Sequence, residues 1–187
     1  MNINEVSSFL EQIQPALVAA VTHDIEKHVA RLVETGREFY GYALLPGEFY
    51  DMHSVIVATN GETDIKVSIP DNLYRYYRFS VDEWTSWEHD EFGSTNSVLV
   101  EANKRFQSQH SREHDHFQMD ECEVAFASGL LESLVNGLDA AKKAGAFGDT
   151  EKFLVVWISD SDVPIMLESA KRLNSATVAT EFAVEFG

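Results

Sequence analysis

The sequence predicts an α+β fold, a mostly antiparallel sheet covered by helices, in one domain spanning 1–187. Two long stretches, 3–35 and 120–144, repeat apolar residues at three- and four-residue steps, as amphipathic helices do. Two short runs rich in aromatic and β-branched residues, 38–45 and 52–59, follow each other closely, which favours antiparallel pairing. The chain is also large enough for a core without staples: 187 residues, 44% hydrophobic and 11% aromatic.

The elements follow in order. In 3–35 the stripe is Phe9, Leu10, Ile13, Leu17, Ala20, Val21, Ile25, His28, Val29 and Leu32. Pro15 predicts a break near 14, because proline suits a first helical turn and disrupts an interior one. Gly36 is the expected C-terminal stop. The strand at 38–45 closes at Pro46-Gly47, and that at 52–59 closes at Asn60-Gly61. A short strand is expected at 65–69, and another at 73–79, where Tyr74, Tyr76 and Tyr77 cluster. Ser80 and Glu83 have the spacing of a capping box and predict a short helix through Trp84 and Trp87. Further helices are expected at 94–109 and, opened by Asp120 with Glu123, at 120–144. The run Phe153 to Ser159 is continuously apolar, like a central strand. A helix at 163–173 and an edge strand within 176–186 complete the chain.

Fourteen basic side chains against 31 acidic ones give a net charge of −17. That balance opposes binding to a phosphate backbone or an anionic membrane surface and favours basic partners. Cys122 is the lone cysteine, so an internal disulfide and a thiolate metal cage are both excluded. The first residues lack a basic, apolar leader pattern, and no apolar run reaches membrane-spanning length. A reducing, cytoplasmic location is the expectation.

Several segments resemble the domain-of-unknown-function 4303 family of bacterial proteins. They are Phe39-Tyr40-Gly41-Tyr42-Ala43-Leu44, the tract from Tyr77 to Trp84, the run Ile158 to Asp162, and Ser169-Ala170-Lys171-Arg172-Leu173-Asn174. Phe79 and Ser175 stand where the family pattern has tryptophan and proline. The resemblance brings no catalytic residues. It implies a role as an immunity partner in bacterial toxin systems, by analogy with better-known immunity proteins.

Four constellations bear on chemistry. His110 and His114 share a helical face at the spacing of paired zinc ligands, with His116 or Asp115 as a third group. The alternative there is a solvated polar junction. His-Asp doublets at 23–24, 89–90 and 114–115 are scattered and lack the context of a metal phosphohydrolase. No nucleophile elbow, phosphate loop or dinucleotide fingerprint occurs, and the acids around Cys122 oppose a thiolate. Ser159 to Asp162 reads as a ligand site at a strand's end or as a helix cap.

A fifth feature carries the most weight. No Lys or Arg occurs from Phe79 to Asn103, a stretch that mixes carboxylates with tryptophans; a second base-free stretch runs from Glu113 to Ala141. Carboxylates steer a cationic partner, and aromatics anchor it. The expected partner surface is therefore Asp82, Glu83, Trp84, Trp87, Glu88, Asp90 and Glu91, with the tryptophans as core residues the competing reading. The expected function is that of an acidic, non-enzymatic binding protein. It would occlude the cleft of a basic protein, in the family reading a toxin domain, without a cofactor. A metal-dependent hydrolase centred on His110, His114 and His116, or a regulatory domain with another partner, are the alternatives.

Overall fold

A computed structural model describes residues 1–49, 51–65, 69–110, 118–159 and 163–187. The chain order is α1 (Ile3–Glu34), β1 (Gly41–Leu45), β2 (Ile56–Asn60), α2 (Tyr74–Phe79), β3 (Ser86–Glu88), α3 (Gly93–Gln109), α4 (Glu121–Lys143), β4 (Phe153–Val156), α5 (Ile165–Leu173) and α6 (Ala176–Phe186). The strands form one sheet in the order β3-β2-β1-β4. β1–β2 and β2–β3 are antiparallel, and β1–β4 is parallel. The fold is thus α+β with a mostly antiparallel sheet. No helix among the described residues is long and apolar enough to cross a membrane.

Helix α1 starts at a capping box in which the Asn2 side chain accepts from Asn4 and Glu5 N–H and Glu5 answers the Asn2 N–H. It ends where Gly36 takes φ +68° and Arg37 N–H reaches Leu32 C=O, a Schellman-type stop. The break expected near 14 does not occur, and α1 runs through Pro15. Proline removes one hydrogen bond there, but Phe9, Ile13, Leu17 and Val21 on the same helix are all buried. That continuous apolar stripe outweighs the lost bond.

The sheet is covered on both faces, and alternation along the strands sorts its side chains. Tyr42, Leu44, Val57, Leu154 and Val156 join α1, α3 and α4 in one core. Ala43, Leu45, Ala58, Phe153 and Val155 join Phe79, Trp84, Trp157 and Phe182 in the other. Every residue of β1 and β4 is therefore buried, which gives the continuous apolar runs of the sequence.

β4 nevertheless lies at the edge of the sheet, and α5 closes it. The Asn174 side chain accepts from Leu154 N–H and donates to Leu154 C=O, both at 2.8 Å, and Ser169 Oγ accepts from Val156 N–H at 3.1 Å. These side chains stand in for a neighbouring strand. Between them, Arg172 pairs with Glu132 at 2.6 Å, and Lys142 on α4 reaches Leu173 C=O. The Ser169 to Asn174 motif thus fastens α5 to both β4 and α4.

Three sequence expectations are corrected. Residues 74–79 form helix α2 after a 3-10 turn at Asp71–Leu73, not a strand. Residues 81–88 form a 3-10 turn, Val81–Glu83, and then β3, not a helix through both tryptophans; Ser80 makes no side-chain cap. Pairing with β2, which sets Trp87 opposite Ala58, decides that segment. The tail forms α6 instead of an edge strand. Ser175 caps it, and Phe182 is buried against Phe79 and Phe153. The strand expected at 65–69 falls largely outside the described residues, and Glu62–Asp64 forms a 3-10 turn.

Gly41 on β1 lies in close contact with Trp84. A Cβ at this position would lie 2.5 Å from the Trp84 ring. Gly41→Ala is expected to cost about 1–3 kcal/mol through overpacking, measured as a lower denaturant midpoint. Adding Trp84→Leu should give a loss smaller than the sum of the two single losses, since the second change removes the clash.

Candidate functional site

The acidic segment 82–91 divides by burial and by the cations that reach it. Trp84 is 3% exposed and packs against Gly41, Tyr40 and Phe153, so it belongs to the core and is withdrawn from the expected partner surface. Trp87 is half-buried and donates its indole N–H to Trp84 C=O at 2.7 Å. Asp82 is exposed and accepts from Trp157 Nε1 and Ser159 Oγ, tying the end of β4 to the turn before β3. Glu83 and Asp90 are exposed, and Tyr76 hydroxyl reaches Glu83 at 3.4 Å.

Glu88 is the centre of an internal network. β3 points it toward α1, where Arg31 bonds one carboxylate oxygen, and Arg37 lies 3.2 Å and His28 3.4 Å from the other. Arg31 also pairs with Glu91 at 3.2 Å. Glu88 and Glu91 are thus internally compensated, unlike the free carboxylates expected from the base-free stretch. The compensating arginines come from α1 and from the turn that follows it.

Behind Glu88 the network enters the core. His28 and Tyr42 have no exposed surface, and His28 Nδ1 lies 2.9 Å from Tyr42 hydroxyl. Burial pushes the His28 imidazole below its ordinary value, against the opposing pull of Glu88. Burial likewise pushes the Tyr42 phenol well up. In Glu88 burial works to raise the carboxyl, but hydrogen bonds from Arg31 and His28 outweigh it and hold the group below the usual range. A Tyr-His-Glu chain has the ingredients of a proton relay, yet no solute reaches its tyrosine or its imidazole. It binds α1 to β1 and β3. The sequence placed His28 in an apolar helical stripe, a visible oddity, but gave no sign of partners 14 and 60 residues away.

Asp24 lies on the same helix. It is 3% exposed and accepts from both Thr95 N–H and Thr95 Oγ, at 2.8 and 2.9 Å. Helix α3 has no side-chain cap at its own N-cap residue, Phe92, so Asp24 supplies one from α1.

Of the predicted histidine ligands, His110 is described, whereas His114 and His116 lie outside the described residues. His110 ends α3, stacks on Phe106, and sets Nε2 2.9 Å from Asp120 Oδ2. Asp120 is the N-cap of α4, in a capping box with Glu123. Burial works to raise the Asp120 carboxyl, but backbone N–H groups of Glu123 and Cys122 and the nearby His110 hold it below its ordinary value. Burial, then the Asp120 charge, pushes the Cys122 thiol up, which agrees with the expected lack of thiolate character.

The domain-of-unknown-function 4303 family model matches residues 17–175, and the chain belongs to this family. No curated protein and no solved structure matches it. The matched span holds all four strands, the Glu88 network and the Ser169 to Asn174 closure.

The buried imidazole makes stability depend on pH. With its folded value depressed, the unfolded chain binds the extra proton first, so stability falls as pH drops below about 6.5. Glu88, also depressed, adds a loss only below the ordinary carboxylate range. His28→Asn should destabilise by about 1–3 kcal/mol at neutral pH through unpaired buried groups. The slope of stability against pH on the mildly acidic side of neutrality should flatten in this variant, as read by denaturant melts across that range.

Proposed function

We propose that this protein is an acidic, non-enzymatic binding protein that neutralises a basic partner by occupying its substrate cleft, in the manner of a cytoplasmic immunity protein. The observation that carries this reading is the net charge of −17 together with the exposed carboxylates of Asp82, Glu83 and Asp90 around the half-exposed Trp87. Like charges at this density cost stability through self-repulsion, and a cationic partner relieves it. β3 supports the reading because it is the edge of the sheet opposite the one that α5 closes. Glu88, held by Arg31 and Arg37, belongs to the scaffold beneath this surface, so the contact set narrows to Asp82, Glu83, Trp87 and Asp90.

In this mechanism carboxylates pair with lysines and arginines that normally hold the partner's own anionic substrate. Exclusion of that substrate is the whole effect, and no bond is made or broken. Long-range attraction sets the association rate, and the aromatic contact sets the lifetime.

The test is binding to a basic toxin domain encoded beside this protein. Affinity should fall between low and high salt. The pair Glu83→Lys and Asp90→Lys should slow association by roughly 10-fold or more with little change in dissociation. Asp82 is left intact because it also anchors Trp157. Salt-independent binding, or an unchanged association rate, would remove this surface from the interface.

A further inference from the structure

We propose that the junction of α3 and α4 binds one first-row divalent metal ion, with Zn²⁺ held more tightly than Mn²⁺, through His110, Asp120 and Glu123. One donor atom from each of these residues lies within 4.8 Å of the others. An imidazole with two carboxylates suits such ions, and Zn²⁺ sites with three protein ligands keep a fourth position for water. The ligand set supplies two negative charges to a doubly positive ion.

The geometry is partly assembled. His110 Nε2 and Asp120 Oδ2 are 2.9 Å apart, close to the roughly 3.3 Å that separates two donors on a tetrahedral zinc ion. The three donors, all within 4.8 Å of one another, move on binding toward the roughly 3.3 Å spacing of a tetrahedral site. Each donor is held by a second layer of contacts. The His110 ring stacks on Phe106 at 5.1 Å and is 8% exposed. Asp120 Oδ1 accepts from the N–H groups of Cys122 and Glu123, which turns Oδ2 toward His110. Glu123 is 4% exposed, and the Asp120 N–H holds its Oε2 at 2.8 Å. Such outer contacts orient metal ligands and tune their affinity. His110 and Glu123 also line a pocket with His53 and Met119, which gives an ion a way in.

Nε2 binds an ion only without a hydrogen, so in the bound form the ring hydrogen sits on Nδ1. That nitrogen lies 3.4 Å from the Met1 amino group, a long contact that opens in the bound form. The ion would then join the end of one helix to the start of the next.

The experiment uses the full chain after dialysis against a chelator, titrated separately with zinc chloride and manganese chloride by calorimetry. The expected result is one ion per chain, Zn²⁺ tighter than Mn²⁺, and a higher melting temperature with zinc. His110→Ala and Glu123→Gln should each weaken zinc binding by at least ~10-fold. Glu123→Gln retains an acceptor for the Asp120 N–H, so α4 keeps its cap, and circular dichroism checks the fold. His89→Ala, at an exposed histidine outside the cluster, should leave affinity unchanged. Absence of one-to-one binding, or equal affinity in both cluster variants, would overturn the site. Neither failure bears on the partner surface, which uses none of these residues.

Discussion

A sheet buried on both faces leaves its edges as the places where backbone polar groups must still find partners, and the closure of β4 by α5 meets that need on one side. Asn174 gives Leu154 an acceptor and a donor, and Ser169 serves Val156. An unpaired buried amide or carbonyl costs about 1–3 kcal/mol, so these two side chains hold the parallel edge in place. Arg172 and Lys142 extend the same fastening to α4. Once that edge is closed, both cores can fill, one with α1, α3 and α4 and the other with α2, α5 and α6.

The charges divide in a similar way. Much of what looks like surplus acid in the 79–103 stretch is scaffold: Glu88 and Glu91 meet Arg31 and Arg37, while Asp82 holds Trp157 and Ser159. Buried Asp24 is balanced by a helix N-terminus, where N–H groups stand ready to meet a negative charge. The remaining carboxylates, among them Glu83 and Asp90, face solvent and are the ones a cationic partner would meet. Glu88 therefore supports the proposed contact surface from beneath and is not part of it.

The long helices and the first two strands were legible because their evidence is local. The α1 stripe, the Asp120–Glu123 capping box and the turn-bounded strands each lie within a few residues. The tyrosine-rich 74–79 segment misled because aromatic residues favour strands, whereas its outcome is set by packing against α6 through Tyr76 and Phe186. β3 is three residues long and exists through its pairing with β2, which no local pattern announces. The same limit applies to the candidate site. The base-free stretch marked residues 82–91, but the cations that reach Glu88 lie 51 and 57 residues away in sequence. Trp84 and Trp87 share a residue type and a neighbourhood and pack on the same core, but Trp84, at the end of the 3-10 turn, is buried within it, whereas Trp87, on the edge strand β3, is only half-buried. At His110 the imidazole was legible as a ligand type, while its neighbours Asp120 and Glu123 were read only as helix-capping residues.

The cap that Asp24 provides bears on how the molecule assembles. Residues 93–109 begin with a glycine and carry no side-chain cap of their own, and the Thr95 N–H of the first turn is met by a carboxylate 71 residues upstream. A segment of this length is marginal as a helix in isolation. Its first turn is completed by α1, so the start of α3 depends on the docking of the helix that precedes the sheet.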